Sequence, residues 1–208
     1  MSAIVDVPAK RPRGRPRKTL DERDAGNRRR QLLKAAAKLF RRKGFDGTST
    51  RDIASAVGMH SGSPFYHFES KDALLYAVME EGMRAAMQRQ AEALSEGGEA
   101  ATQLRRLIRS QLETLHGPGG DFVPVMLYEY RSLNARQRAG ITALQREYEA
   151  AWTPVLQSLS DAGRLRADVN LSRLLIFGAL NWSVQWFDKK KRASLDELAG
   201  EALALFIS

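Results

Sequence analysis

From Asn27 onward the apolar positions of this chain recur every three or four residues, and nowhere does a convincing two-residue alternation appear. Asn27 to Lys43 places Leu32, Leu33, Ala36, Leu39 and Phe40 on one stripe, which predicts a first helix with Arg28, Arg29 and Arg30 at its start. Ser49 and Asp52 have capping-box spacing, and Ile53, Ala54 and Val57 form an apolar face that Gly58 can end in the left-handed conformation. Ser70 caps a long helix from Lys71 to about Glu96, with Leu74, Leu75, Val78 and Met79 turned inward. Further helices are expected over 99–116, 122–133 and 134–162, the last kinked at Pro154 and ended by Gly163. Leu171 to Phe187 and a final helix opened by the capping box Ser194-Leu195-Asp196-Glu197 complete an all-α chain.

The segment between the second and the long helix has a different character. His60-Ser61-Gly62-Ser63-Pro64-Phe65-Tyr66-His67-Phe68 is small and polar at its start and aromatic at its end. A helix laid into the DNA major groove needs small polar residues at its leading end, to approach bases and phosphates, and apolar residues behind to anchor it. Ser61, Gly62 and Ser63 meet the first need, and Phe68 with another aromatic meets the second. The run Thr48-Ser49-Thr50-Arg51-Asp52-Ile53-Ala54-Ser55-Ala56-Val57-Gly58, followed by Ser61-Gly62-Ser63 and Phe65-Tyr66-His67-Phe68 before Ser70-Lys71-Asp72-Ala73-Leu74-Leu75, resembles the N-terminal domain of tetracycline-repressor-type (TetR family) regulators. The match covers about residues 27–82. Two positions depart from the family pattern: Pro64 stands where an inward-packing Leu or Ile is usual, and His60 where a Ser or Thr cap is usual.

That resemblance implies a three-helix DNA reader within 27–82 and a helical ligand-binding and dimerisation domain over 83–208, which leaves residues 1–26 as a basic arm. It also implies that the long helix transmits movement from the ligand domain to the reader. The partners implied are a palindromic operator in double-stranded DNA, a second copy of the chain and a small-molecule effector. Regulators with such aromatic, apolar domains often sense fatty-acid-like, acyl-CoA or drug-like molecules.

Charge sharpens the reading. The 208 residues carry a net charge of +9, and residues 1–18, with six Lys or Arg against one Asp, hold +5 of it. Such concentration at one end points to a polyanionic partner. Within it, Lys10-Arg11-Pro12-Arg13-Gly14-Arg15-Pro16-Arg17-Lys18 resembles the AT-hook, a short element of the minor groove of A/T-rich DNA. Prolines hold such a backbone extended, Gly14 lets it approach the groove floor, and Arg13 and Arg15 meet the negative potential of a narrow groove. A basic tail that touches only phosphates is the plainer alternative; in either case order is expected only on DNA.

The expected DNA contacts are therefore Arg13, Gly14 and Arg15 in the arm, Arg28, Thr48 and Arg51 around the first two helices, Ser61, Gly62, Ser63 and Phe65 near the bases, and Tyr66, His67 and Lys71 on the phosphate backbone. A core role for Tyr66 is the alternative to contact. For the effector pocket, Leu104, Ile108, Met126, Tyr130, Tyr148, Trp152, Trp182 and Trp186 are the candidates, although core packing is the default for each aromatic taken alone. The helix from Leu171 is apolar on two opposite sides, one with Leu171, Leu175, Trp182 and Trp186, the other with Ile176, Leu180, Val184 and Phe187. The second of these, with Leu195, Leu198, Ala202 and Phe206, is expected to meet a second subunit in a two-fold four-helix interface. Lys189-Lys190-Lys191-Arg192 reads as a solvated loop.

No cysteine is present, which excludes disulfides and thiolate chemistry. His60, His67 and His116 do not cluster with acids at metal-ligand spacing. No nucleophile–base arrangement, phosphate loop, cofactor motif or membrane-spanning run stands out, and a cytoplasmic location is expected. The alternative to a ligand-responsive repressor is an architectural DNA binder without an effector; a helical enzyme ranks far below both.

Overall fold

A computed structural model of the chain describes residues 20–59, 67–117, 120–188 and 193–208, with side chains described from Gly26 onward. Nine α-helices occupy the described residues: α1 Leu20–Lys43, α2 Thr50–Ala56, α3 Lys71–Ser95, α4 Ala100–His116, α5 Phe122–Glu129, α6 Ala135–Ala150, α7 Thr153–Asp161, α8 Val169–Trp182 and α9 Leu195–Phe206. The only strand-like feature among them is one antiparallel bridge, Leu165 to Ile207, which ties the chain's last residues to the α7–α8 link.

The helix starts follow from local hydrogen bonding. Ser49 Oγ accepts from Asp52 N at 3.1 Å while Asp52 Oδ2 accepts from Ser49 N at 2.8 Å, so two donors left over at the start of α2 are satisfied reciprocally. Asn134 with Gln137 opens α6 the same way, and Ser194 with Glu197 opens α9. Ser70 Oγ accepts from Ala73 N at 3.0 Å to start α3. Gly58 has φ +68°, the left-handed conformation its place after α2 requires.

Three boundaries differ from expectation. Helix α1 begins at Leu20 rather than Asn27, so helical backbone reaches into the span expected to be arm. No proline stands between Leu20 and Asn27 to stop the helix there. The expected kinked helix over 134–162 is instead two helices, α6 and α7, because Pro154 fits only the first turn of a helix and cannot donate to the carbonyl of Ala150. Both α5 and α8 tighten into a 3-10 turn at the end, Tyr130–Ser132 and Ser183–Gln185.

Leu32, Leu33, Ala36, Leu39 and Phe40 of α1 are buried with Phe45, Ile53, Phe68, Leu74, Leu75 and Val78 beneath the N-terminal helices. In the larger part, α4 lies at the centre and packs against α3, α7, α8 and α9. Helix α3 runs unbroken from one part to the other, and α5 lies against both α3 and α1. Between α3 and α5 the backbones come close: a Cβ on Gly82 would fall 2.1 Å from Cγ of Phe122. Arg41 of α1 reaches Asp121 at the start of α5, at 2.8 Å.

Candidate nucleic-acid interface and ligand cavity

At the N-terminal end, Arg28, Arg29 and Arg30 are exposed on α1, and Arg51 is exposed on α2. Arg29 lies over the Phe68 ring, 5.2 Å from its centre, which places the arginine-rich end of α1 beside the segment that leads into α3. His67 is half-buried in that segment. Arg28, Arg51 and His67 are thus available at this end of the molecule. Arg13, Gly14, Arg15, Ser61, Gly62, Ser63, Phe65 and Tyr66 lie outside the described residues, as do His60, Pro64 and Lys189–Arg192.

Two of the residues expected at DNA have partners inside the subunit. Thr48 is 1% exposed, and its hydroxyl donates to the carbonyl of Gly44 at 2.8 Å. It closes the turn between α1 and α2 instead of facing DNA, because Ser49 already supplies the cap and Thr48 falls on the inner side of the turn. Lys71 is a brace. Its Nζ donates to the carbonyls of Phe45 (2.8 Å) and Thr48 (3.1 Å) and sits 4.1 Å from the centre of the Phe45 ring. Two of its three N–H donors are spent on fixing α3 to the α1–α2 turn.

The Asp52 carboxyl is held below the usual aspartate range, first by the Ser49 hydroxyl, then by the Ser49 amide and by Lys43 at 3.6 Å. The capping box therefore keeps a negative charge on α2 and pairs it with a cation of α1.

A cavity of about 60 Å3, open at one side, lies between α3, α4, α5, α6 and α8. Its apolar wall is Met83 and Ala86 of α3, Phe122, Val123, Met126 and Leu127 of α5, and Phe177 of α8. Its polar groups are Gln111 and Thr114 of α4, Gln145, Tyr148 and Glu149 of α6, and Asn181 of α8. Three of them form a chain: the Tyr148 hydroxyl donates to Gln111 Oε1 at 2.6 Å, and Gln111 Nε2 donates to Asn181 Oδ1 at 2.8 Å. Burial pushes the Tyr148 hydroxyl well above its ordinary range, so it stays protonated and a donor. Gln90 Nε2 holds the Tyr148 carbonyl at 2.9 Å, and Arg173 ion-pairs with Glu149.

Of the expected pocket residues, Met126 and Tyr148 line this cavity. Leu104 and Ile108 are fully buried in the core, because the cavity starts one turn further along α4, at Gln111. Trp152 is fully buried behind the wall, its ring 4.8 Å from that of Phe177. The Tyr130 hydroxyl is engaged by Thr142 Oγ1 at 2.7 Å and the Arg138 carbonyl at 3.3 Å. Trp182 and Trp186 are on the surface, 66% and 57% exposed. Gln111 and Asn181 were not anticipated; a glutamine set among Leu104, Ile108 and Leu115 on the inner stripe of α4 is the one sign of them in the sequence.

The residues expected at a dimer face pack within this subunit. Ile176, Leu180 and Ala202 are buried inside this subunit, and Val184, Leu195, Leu198 and Phe206 pack on the same core. Phe187 packs on the His116 ring, 4.9 Å away. The face left open is the opposite one, with Leu171, Leu174, Leu175, Trp182 and Trp186 on and just after α8 and Leu205 on α9. Both faces of α8 are apolar, so periodicity could not say which one turns inward.

Comparison with known proteins matches both parts of the chain. Residues 32–78 match the family described as bacterial regulatory proteins, tetR family, and residues 97–208 match the tetracyclin repressor-like C-terminal domain. The HTH-type transcriptional repressor KstR2 of Rhodococcus jostii (strain RHA1) is 27% identical over 192 residues, spanning 90% of this chain and 93% of the relative. Among solved structures, the superantigen PfiT is 42% identical, covers 86% of this chain and 96% of its own, and superposes with a TM-score of 0.75. AibR, solved with isovaleryl coenzyme A and operator DNA, shares the fold at 24% identity and a TM-score of 0.79, over 86% of this chain and 97% of its own.

Proposed function

The chain belongs to the tetR family of bacterial regulatory proteins, and from that premise we propose a ligand-responsive repressor that holds a palindromic operator as a homodimer and releases it when a small, largely apolar effector occupies the cavity. One observation supports this reading above the others. Helix α3 is braced to the N-terminal turn through Lys71 and, twelve and fifteen residues on, lines the cavity with Met83 and Ala86. An occupant that binds one position of α3 better than another shifts the equilibrium between those positions by its difference in affinity, and the N-terminal helices move with it.

On this proposal the segment Ser61–Tyr66 enters the major groove, with Arg28, Arg51 and His67 beside the phosphates. The arm with Arg13, Gly14 and Arg15 follows the minor groove. The two copies pair through Leu171, Leu174, Leu175 and Trp182, so that two readers meet successive major-groove faces. Acyl-CoA, fatty-acid-like and drug-like molecules are the effector classes to test. No catalytic role and no metal or cofactor is proposed. Among the described residues no helix is long and apolar enough to cross a membrane.

The test is binding of the full-length protein to its own promoter palindrome by fluorescence anisotropy. Affinity should fall linearly in log–log against salt, as expected when phosphate counterions are released. Deleting residues 1–18 should weaken binding and leave its sequence preference intact. Loss of all binding on that deletion would favour the architectural alternative. A protein that stays monomeric at micromolar concentration would refute the dimeric reader.

A further inference from the structure

Resting on the repressor reading above, we infer that the cavity is built for the short, uncharged acyl end of a carbonyl compound, with the carbonyl oxygen bound by the carboxamide of Asn181. The first support is the direction of the hydrogen-bond chain. Tyr148 donates to Gln111 Oε1 and Gln111 Nε2 donates to Asn181 Oδ1. Each carboxamide oxygen takes a bond within the chain, while no bond among the described residues engages the Asn181 NH2 group, which leaves that donor for an occupant. An occupant therefore meets it with an acceptor oxygen.

The second support is charge. The one carboxylate on the wall, Glu149, is ion-paired with Arg173, and the remaining polar groups are the neutral Gln111, Thr114, Gln145, Tyr148 and Asn181. Arg89 stands behind Thr114 and donates to its hydroxyl at 3.1 Å, so a cation favours the oxygen end of a dipole in the cavity without reaching it. Burying a full carboxylate here would cost solvation that no direct cation returns, whereas a carbonyl oxygen needs only a neutral donor. Gln145 Nε2 is turned to Met126 Sδ at 3.7 Å.

The third support is size. A volume of about 60 Å3 open to the centre of a water holds roughly four to six waters, hence about as many non-hydrogen atoms of an acyl group. The remainder of the molecule leaves past Leu127, which is the most exposed of the wall residues, and the Glu149–Arg173 pair. A short acyl thioester has this form: a small apolar end, an uncharged carbonyl and a bulky polar remainder outside.

Calorimetry on the full-length protein with four probes decides the matter: isovaleryl coenzyme A, its S-isopentyl thioether analogue without the carbonyl, palmitoyl coenzyme A and free isovalerate. Isovaleryl coenzyme A should bind at least ~10-fold more tightly than each of the others, about 1.4 kcal/mol. Asn181→Leu should erase the preference for thioester over thioether, read as the ratio of the two affinities. Tyr148→Phe, which barely alters shape, should shrink that preference in a chain already missing its first donor. Equal loss for both probes in either variant would overturn the carbonyl role. Palmitoyl coenzyme A or isovalerate binding as well as isovaleryl coenzyme A, or none of the four binding, would overturn the acyl assignment. Promoter binding measured in parallel separates the readings: a protein that grips the palindrome yet ignores these probes refutes only the inference, and one that never grips it refutes the repressor.

Discussion

Replacing Gly82 by alanine tests how tightly the cavity wall is tied to the long helix. The new methyl carbon would lie 2.1 and 2.2 Å from Cγ and Cδ2 of Phe122, about 1.4 Å closer than the roughly 3.5 Å at which carbon atoms rest. Phe122 is buried, and its ring can yield only toward the cavity or by pushing α5 off α3. Overpacking of a filled core costs about 1–3 kcal/mol, and an overlap with a ring flanked by backbone belongs at the upper end. Each kcal/mol lowers the melting temperature of a chain of this size by about 2–4 °C. Gly82→Ala should therefore melt roughly 6–12 °C below the wild type, measured by circular dichroism at fixed protein concentration so that dimerisation does not shift the comparison. Phe122→Leu on the same background removes the colliding ring edge and should recover part of the loss, giving a coupling energy above about 1 kcal/mol in a double-mutant cycle. If Gly82→Ala melts with the wild type, the close approach of α3 and α5, and the link from cavity wall to long helix, is wrong.

Lys71→Met keeps the stem over Phe45 but drops two charge-assisted hydrogen bonds, so it should cost about 1.5–3 kcal/mol in urea unfolding. An unchanged urea midpoint would return Lys71 to a role on DNA alone. The Asp52 carboxyl sits below its unfolded value, so the stability it confers is present above the usual aspartate range and is lost as pH falls through it. The gap between wild type and Asp52→Asn should accordingly close below about pH 4, as thermal melts across pH will show. The Trp152 indole N–H is buried without a hydrogen-bond partner among the described residues. Trp152→Phe should thus stay within about 1.5 kcal/mol of the wild type, since relief of an unpaired donor offsets lost ring volume, while Trp152→Ala should cost about 3–5 kcal/mol.

What the sequence announces and what it hides divide along physical lines. Capping boxes at Ser49 and Ser194 and the cap at Ser70 are short-range chemistry, and the helices they open start where the residue pattern says. The start of α1 at Leu20 lies well ahead of Leu32, its first buried apolar position, so the apolar stripe does not mark it. Orientation of a two-faced helix is a tertiary matter: Ile176 and Trp182 are equally apolar in sequence, and only packing against α4 turns the first inward. The cavity was half legible. Tyr148 and Met126 announce themselves by size, but Gln111 and Asn181 acquire meaning only when folding brings α4 and α8 within hydrogen-bond distance.

The bare apolar face also makes the molecule its own reporter. Two of its three tryptophans, Trp182 and Trp186, are exposed, the first on the surface proposed to pair and the second just beyond it, while Trp152 sits in the interior. Emission from the outer indoles should shift to the blue as concentration rises and copies meet, and return to the red on dilution. The self-association constant can then be read optically, without any attached dye.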